Sequence, residues 1–371
     1  MKITCQKADL VKGVNIVSKA VPTRTTMAIL ECILIDASSG EIKLTANDME
    51  IGIETIVSGN IEERGIIALD AKKFSEIVRK LPENIVTIET DDSFKTSITC
   101  EKANFDIVGK SGQDFSYIPE IPRNQPITIS QLTLRDIIRQ TIFSVADSDN
   151  NKLMTGELIE IKDNKLKVVA LDGHRVSIRN IELKNPANDV KVIVPKKTLN
   201  EVIKIIDGGI DDQVNIFVTD NNIIFEFDQT TVVSRIIEGE FFKIEQMLSA
   251  DYETKIKIKK RDLFDCIDRA TILVNEGDKK PIIVNAQDST MSLSISSFIG
   301  TMNEDIDIQK EGKDIMIGFN PKFMNEALRA IDDEEINLYL LNAKSPCFIK
   351  DDAGSYTYIV LPVNFNNPGA N

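Results

Sequence analysis

The 371-residue sequence contains no tryptophan and a single histidine, His174. One imidazole per chain excludes catalytic mechanisms and metal sites that need two histidines from the same chain. The cysteines are odd in number and scattered, with no Cys-x-x-Cys pair, so neither a disulfide framework nor a zinc ribbon is predicted. We expect buried free thiols at Cys5, Cys32, Cys100, Cys266 and Cys347.

Long hydrophobic runs are missing as well. No segment approaches the roughly 18 apolar residues of a membrane span, and the opening residues, MKITCQK, lack the apolar core of a signal peptide. Apolar residues make up 42% of the chain and charged residues 27%, which is typical of a folded globular protein and excludes wholesale disorder. We therefore predict a cytoplasmic protein that does not interact with membranes.

A repeat is the dominant positive feature. A short alternating strand pattern leads into a helical pattern three times, and each time an isoleucine precedes a leucine by seven residues. These pairs are Ile3 and Leu10, Ile127 and Leu134, and Ile256 and Leu263. Because a recurring period of this length marks whole structural units, we predict three copies of one domain.

A second helical pattern recurs in step with the first. It begins near Lys73, Lys197 and Lys322, which are spaced by 124 and 125 residues. Alternating strands separated by turn residues, as at 222–227 and 356–360, occupy much of each unit. This order predicts an α+β fold with two helices packed on antiparallel sheets in each domain. We predict domains at 1–123, 124–252 and 253–371, the last ending in a frayed tail at 366–371.

Charge is distributed unevenly. The chain carries 44 Lys and Arg against 58 Asp and Glu, a formal net charge of −14, which by itself argues against nucleic-acid binding. The six predicted helices nevertheless carry 17 basic and 9 acidic side chains, a net of +8 that leaves −22 on the remainder. If the helices share one surface, that surface attracts polyanions while the remainder repels them. The alternative is that Lys and Arg simply favour exposed helix faces.

The repeats and several short motifs resemble the bacterial β sliding clamp family, the processivity subunits of DNA polymerase III. The motifs are 171–176 (LDGHRV), 192–197 (VIVPKK), 359–363 (IVLPV) and Arg24 within 22–30 (PTRTTMAIL). The resemblance covers residues 1–366. It implies a non-catalytic DNA sliding clamp, in which three-domain crescents dimerise head to tail into a ring and helices line a hole around duplex DNA.

The resemblance also implies partners. They are a second copy of the chain, double-stranded DNA, the alpha subunit of the replicative DNA polymerase, and other repair and replication proteins that carry clamp-binding peptides. The sequence has no Gly-x-x-x-x-Gly-Lys phosphate-binding loop, so ring opening would require a separate ATP-dependent clamp loader. No cofactor is predicted.

By the same resemblance, several cations are candidates to face DNA. A ring held in place by topology needs only weak, nonspecific phosphate contacts, which let it slide. The alternative for each lysine is an ordinary solvated surface charge. The candidates are Arg24, Lys72, Lys73, Lys196, Lys197 and Lys322.

The family further implies an apolar pocket, between the second and third domains, for Leu- and Phe-bearing peptides. The segment 239–248 departs from the family pattern, since Phe242 and Gln246 replace a usual Pro and Arg, and Asn364 stands where an Arg is common. Peptide preference is therefore left open. The predicted pocket residues are Met154, Thr155, Leu171, Gly173, His174, Arg175, Val176, Phe242, Gln246, Met247, Ser345, Pro346, Val360, Leu361, Pro362 and Val363.

Two other functions stay open from the residues alone. A protein of the same repeat that never closes into a ring would bind DNA in a salt-dependent way and would leave linear and circular DNA equally fast. A hydrolase would act around Asp172, His174 and Arg175, although Asp172-Gly173 is also typical of a turn and no Gly-x-Ser-x-Gly motif is present.

One further stretch has two interpretations. Residues 131–134 (QLTL) are similar to the peptides that clamps bind. The same residues are suited to open a helix behind an N-cap at Ser130 or Thr133, with the leucines facing the core.

Overall fold

A computed structural model describes residues 1–115, 118, 121–123, 125–147, 151–248, 251–274 and 280–365. The predicted frayed tail lies outside the described residues. Each predicted repeat has its two helices. In chain order the helices are α1 (Lys7–Val17), α2 (Ala71–Lys80), α3 (Gln131–Thr141), α4 (Lys196–Ile205), α5 (Lys260–Thr271) and α6 (Pro321–Ala330).

Strands make up much of the remaining described chain, and their pairings are antiparallel, as predicted. They are β1 (Lys2–Gln6), β2 (Cys32–Asp36), β3 (Ile42–Asn47), β4 (Ile51–Val57), β5 (Gly59–Glu63), β6 (Ile66–Asp70), β7 (Ile85–Thr90), β8 (Lys95–Cys100), β9 (Ala103–Val108), β10 (Lys110–Ser111), β11 (Ile127–Ser130), β12 (Gly156–Lys162), β13 (Lys165–Leu171), β14 (Arg175–Glu182), β15 (Val190–Pro195), β16 (Gln213–Val218), β17 (Asn222–Phe227), β18 (Thr230–Arg235), β19 (Thr254–Lys259), β20 (Ile282–Gln287), β21 (Thr290–Ser296), β22 (Thr301–Asp307), β23 (Gln309–Gly312), β24 (Ile315–Phe319), β25 (Glu335–Leu340), β26 (Cys347–Lys350) and β27 (Tyr356–Val360).

The chain divides into two compact units, and the division falls within the predicted middle domain. The first unit comprises 1–135, 185–187 and 197–236. It contains a five-stranded sheet, ordered β5-β1-β7-β8-β9, and a nine-stranded sheet, ordered β10-β6-β2-β3-β4-β18-β17-β16-β11. The nine-stranded sheet is continuous because β4 pairs with β18, with Gly52 opposite Val233. We call this pairing the first seam.

The second unit, 136–184, 188–196 and 237–371, has the same plan. Its nine-stranded sheet is ordered β15-β12-β13-β14-β27-β26-β25-β19-β23, and its smaller sheet has four strands, β22-β21-β20-β24. Here β14 pairs with β27, with Val176 opposite Ile359. We call this pairing the second seam.

The predicted domain boundaries remain a prediction. The first seam joins a strand of the predicted first domain to one of the second, and the second seam joins a strand of the second domain to one of the third.

The helices are amphipathic and bury the faces that the repeat predicted. Leu10, Leu134 and Leu263 of the first helices are buried, and so are Val202 and Ala327 of the second helices. The stretch 131–134 opens α3, and the Ser130 hydroxyl accepts a hydrogen bond from the Thr133 backbone N–H at 3.1 Å. The predicted N-cap is therefore present at Ser130.

The cysteines are free and buried, as predicted. Burial raises the pKa of the Cys347 thiol to about 12, and burial, with the Asp9 carboxylate beside it, raises that of Cys5 to about 12, so both stay protonated at neutral pH. Within the described chain, no helix combines the length and the apolar character that a membrane crossing requires.

Candidate functional site

An apolar cavity of about 400 Å³ opens in the second unit. Side chains from β13, β14 and β27, from the loop after β25 and from the segment that follows β18 form its walls. Most are aliphatic or aromatic, with a few polar groups at the rim, which is the composition of a site for an apolar ligand. The lining residues are Met154, Leu171, Gly173, Arg175, Val176, Phe242, Gln246, Met247, Asp251, Leu341, Ser345, Pro346, Phe348, Ile359 and Leu361.

One wall is the turn between β13 and β14. Asp172 caps it, because its carboxylate accepts hydrogen bonds from the backbone N–H groups of His174 and Arg175 at 2.9 and 3.1 Å. Gly173 has φ +88°, a left-handed conformation that favours glycine. The His174 carbonyl in turn accepts from the Leu361 N–H at 2.9 Å. The turn interpretation of Asp172-Gly173 is therefore confirmed.

Arg175 is the cation of this wall and is only 8% exposed. Its Nε donates to Asp172 at 2.9 Å, and its terminal nitrogens donate to the Glu326 carboxylate and the Phe143 carbonyl. The guanidinium carbon lies 4.4 Å from the ring centre of Phe323. A charge this buried is stable only when it is paired and hydrogen-bonded in this way.

The opposite wall follows from strand alternation. Ile359 of β27 lies opposite Phe348 of β26 in the register, and both line the cavity. Leu361, two residues on, also lines it. Val360, between them, belongs to the hydrophobic core formed by β19–β27, α5 and α6. This is the period of two expected of a strand.

The segment 241–248 closes the cavity from a third side. Phe241 and Ile244 are buried in one hydrophobic cluster with Val176 and Ile359 of the nine-stranded sheet. Phe242 packs edge-on against Phe241, with ring centres 5.6 Å apart, and Gln246 and Met247 lie on the short 3-10 helix at Ile244–Met247. The Phe and Gln that depart from the family pattern therefore both line the cavity.

The cavity brings together most of the residues predicted from the motifs, and the remainder lie elsewhere. The Thr155 hydroxyl donates to the Lys152 carbonyl. His174 is exposed, with its ring tilted against Phe323 at 6.0 Å. Residues Val360, Pro362 and Val363 do not line the cavity; Val360 is in the core, and the Val363 N–H donates to the Gly318 carbonyl.

Sequence reasoning missed four lining residues, Asp251, Leu341, Phe348 and Ile359. For Ile359 a signal was available, because a strand that points Leu361 into a cavity must point Ile359 the same way and Val360 the opposite way. For Phe348, Leu341 and Asp251 the sequence offers no signal, since their approach depends on how β25 pairs with β26 and with β19, the strand that follows Asp251.

The predicted DNA-facing cations divide into two sets. Arg24, Lys72, Lys73 and Lys322 are exposed, and no acidic partner lies within ion-pair distance of them among the described residues. By contrast Lys196 binds Asp147 at 2.5 Å. The lysines sit in the first turns of α2, α4 and α6, and none of these first turns contains an acidic residue. Lys197 is paired as well, because its Nζ binds the Asp48 carboxylate and lies 3.8 Å from a carboxylate oxygen of Glu50.

Glu157 of β12 is fully buried, and neither carboxylate oxygen has a hydrogen-bond partner in the described structure. Burial raises the pKa of Glu157 to about 8, although the nearby Thr141 hydroxyl and Lys196 ammonium oppose the shift. The carboxyl group is therefore mostly protonated at pH 7, because a buried charge without a partner is more costly than a bound proton.

The turn of Asp172, His174 and Arg175 does not resemble a catalytic centre. The Asp172 carboxylate is occupied by two backbone N–H groups and by Arg175, and the His174 ring packs on Phe323. Among the described residues, no cluster of three His, Cys, Asp or Glu side chains could hold a metal ion. What the site offers is an apolar recess with a fixed cation.

Family models match the chain along nearly all of its length. Those described as the N-terminal, central and C-terminal domains of the DNA polymerase III beta subunit match residues 1–119, 128–243 and 245–364. The beta sliding clamps of Staphylococcus epidermidis and Staphylococcus aureus are each 32% identical to it, over 98% of this chain and 99% of each relative. The chain belongs to the bacterial β sliding clamp family.

Solved structures agree. A putative DNA polymerase III beta subunit from Eubacterium rectale is 71% identical, with a TM-score of 0.96 over 99% of this chain and 100% of that chain. The DNA polymerase sliding clamp from Bacillus subtilis is 32% identical, with a TM-score of 0.95 over the same shares. The predictions of family and fold class are confirmed. The protein is a DNA sliding clamp, a processivity factor and not an enzyme.

Proposed function

We propose that two copies of the chain close into a ring by pairing β9 of each copy with β22 of the other. In the described structure β9 pairs only with β8, and β22 only with β21, so each strand leaves one border open. A five-stranded sheet joined in this way to a four-stranded sheet makes nine strands, the number in each sheet that a seam completes. This match of strand numbers is the observation that carries the proposal.

Exposed apolar side chains near both open borders support the pairing. Val108 of β9 is 79% exposed and Phe105 is 39% exposed. In the second unit Phe298, just before β22, is 80% exposed, and Ile272, at the end of α5, is 76% exposed. An open strand with apolar neighbours is prone to pair with another chain unless a native partner covers it. The partner proposed here is a second copy, which gives a head-to-tail dimer.

The cations at the starts of the second helices are the proposed DNA contacts. A helix N-terminus carries partial positive charge, so Lys72, Lys73, Lys196, Lys197 and Lys322 in first turns cost local stability. Lys72, Lys73 and Lys322 do so with no acidic partner within ion-pair distance among the described residues, and a residue that breaks a local preference without compensation is expected at a functional position. Lys196 and Lys197 do have acidic partners, and they are proposed from their place at the start of α4. Backbone N–H groups and lysines together favour phosphate, and Arg24 would add a further cation. The contacts would be nonspecific, which suits sliding.

The apolar cavity of the second unit is the proposed docking site for short peptides of the clamp's partners. Its walls are aliphatic and aromatic, and burying two Leu or Phe side chains contributes about 1.5–3 kcal/mol each. We propose that the alpha subunit of the replicative polymerase, the ATP-dependent clamp loader and repair proteins present such peptides in the cytoplasm. The domain division at 1–123, 124–252 and 253–371 belongs to the same proposal.

Peptide docking is tested by changing one cavity wall. Leu361 lines the cavity and is 40% exposed without a ligand. The substitution Leu361→Asp places a charge where an apolar peptide side chain would bind, and we expect the affinity for a fluorescein-labelled peptide Gln-Leu-Thr-Leu-Phe to fall by about 30-fold or more. The matched control is Ile210→Asp, an exposed residue of the first unit. Equal anisotropy titrations for both variants and the parent would contradict the docking proposal.

A further inference from the structure

We infer that Glu326 and Phe323 of helix α6 are positioning residues of the peptide pocket, which they shape by holding Arg175 against its wall. The inference rests on the proposed docking function of the cavity. Neither Glu326 nor Phe323 lines the cavity, whereas Arg175 does. Their effect on a bound peptide would therefore pass through the arginine.

The geometry around Arg175 fixes both the charge and the plane of its guanidinium. Asp172 binds Nε, while Glu326 and the Phe143 carbonyl bind the two terminal nitrogens. The Phe323 ring lies against one face, 4.4 Å from the guanidinium carbon, and the Phe143 ring lies at 5.4 Å. Because a planar guanidinium held at several nitrogens and stacked on a ring has little rotamer freedom, the wall is formed before a peptide arrives.

Among the groups that accept hydrogen bonds from Arg175, Glu326 is the side chain that comes from a distant part of the chain. Asp172 lies in the same turn as Arg175, whereas Glu326 is 151 residues away. Losing Glu326 would leave a buried arginine facing one carboxylate and one carbonyl. The arginine would then be free to swing into the cavity or to draw in water, and either change would reduce the apolar volume open to a peptide.

The repeat supplies a natural comparison. Glu76, Glu201 and Glu326 occupy matching positions in α2, α4 and α6. In α4 the Glu201 carboxylate accepts from Lys204, one turn further along the same helix, at 2.7 Å. In α6 the same position reaches Arg175 instead. A helix glutamate common to the repeats therefore has a contact in the second unit that serves the cavity.

Lys322, one of the proposed DNA-facing cations, is the second residue of helix α6 and directly precedes Phe323. The side chain of Lys322 is exposed while Phe323 packs on Arg175. One helix thus carries a proposed DNA contact and the support of the proposed peptide wall.

The test is a double-mutant cycle on peptide affinity, with the labelled peptide Gln-Leu-Thr-Leu-Phe and the full-length dimer. We expect Glu326→Gln to weaken binding by about fivefold or more, because the charge that holds Arg175 is lost. In an Arg175→Met background the same change should have less than a twofold effect, since the group that it positions is gone. Glu201→Gln is the matched control and should bind like the parent.

A second variant keeps the test independent of the ion pair. Phe323→Leu preserves an apolar side chain but removes the ring, and it should weaken peptide binding, whereas Lys259→Gln, a change at an exposed lysine of the second unit, should not. Parent-like affinity of Glu326→Gln and Phe323→Leu, or an undiminished effect of Glu326→Gln in the Arg175→Met background, would overturn the inference. Failure of the docking function itself is distinguishable, because Leu361→Asp would then leave the parent's peptide binding unchanged.

Discussion

The seams inside the nine-stranded sheets and the open borders of the smaller sheets differ in burial and charge. Val232 and Ile53, opposite each other at the first seam, are fully buried. At the border strand β9 the side chains are mostly exposed, and Val108 is 79% exposed. The seams are therefore complete within one chain, whereas the borders have the apolar groups of a seam without its partner strand.

The pKa values of carboxyl groups also differ between the border strands and the interior of a nine-stranded sheet. On the border strands, a hydrogen bond from Ser97 and the nearby Lys95 lower the pKa of Asp106, and the hydrogen-bonded Arg269 lowers the pKa of Glu304. Inside the second nine-stranded sheet, burial raises the pKa of Glu157 instead. A completed sheet excludes water and disfavours charge, and a border strand does not.

The largest expected effect comes from Glu157. The folded-state pKa of about 8 lies above the ordinary value of 4.5, so the folded protein holds a proton that the unfolded chain has lost. The stabilisation is fully present below about pH 4.5 and disappears as pH rises towards 8. Between pH 5 and 9 the parent should lose about 4 kcal/mol of unfolding free energy more than Glu157→Gln loses. Urea titrations at fixed protein concentration measure this difference; parallel pH profiles would contradict it.

A smaller effect is expected from charging the border. Val108→Asp should raise the dimer dissociation constant by about 100-fold or more, because an apolar contact is replaced by a charge at the proposed joint. Sedimentation across a concentration series measures the constant. The seam variant Val232→Asp should instead destabilise the first unit itself, while Ile210→Asp, exposed and away from the border, should change neither. A Val108→Asp protein that remains dimeric would exclude β9 from the joint.

These predictions rest on features that differ in how visible they are in the sequence. The helices could be predicted because Leu10 and its counterparts recur at a fixed period, and the turn at Asp172 follows from its residue types. The seams could not, since Thr55 and Thr230, hydrogen-bonded at 2.9 Å, are 175 residues apart. The pocket could be predicted in part from the sequence. Its turn was visible as a motif, but Phe348 enters the wall only through strand pairing.

The smallest expected effect concerns the exposed lysines at the start of α2. Replacing both Lys72 and Lys73 with Gln should weaken binding to linear duplex DNA modestly and reduce the slope of log K against log salt by up to about 2, roughly 0.9 for each lost phosphate contact. The control is Lys102→Gln, an exposed lysine beside β9. An unchanged slope for the double variant would remove these lysines from the DNA contact.

The most direct test of ring closure is retention on DNA after loading. The protein is loaded onto a closed circular plasmid, and its loss at raised salt is compared with its loss from the same plasmid cut once. The proposed ring predicts that the protein stays on the circle and runs off the cut molecule, because topology rather than charge holds it. Equal rates of loss from both would contradict the ring and would favour an open clamp-like protein that binds DNA by charge alone.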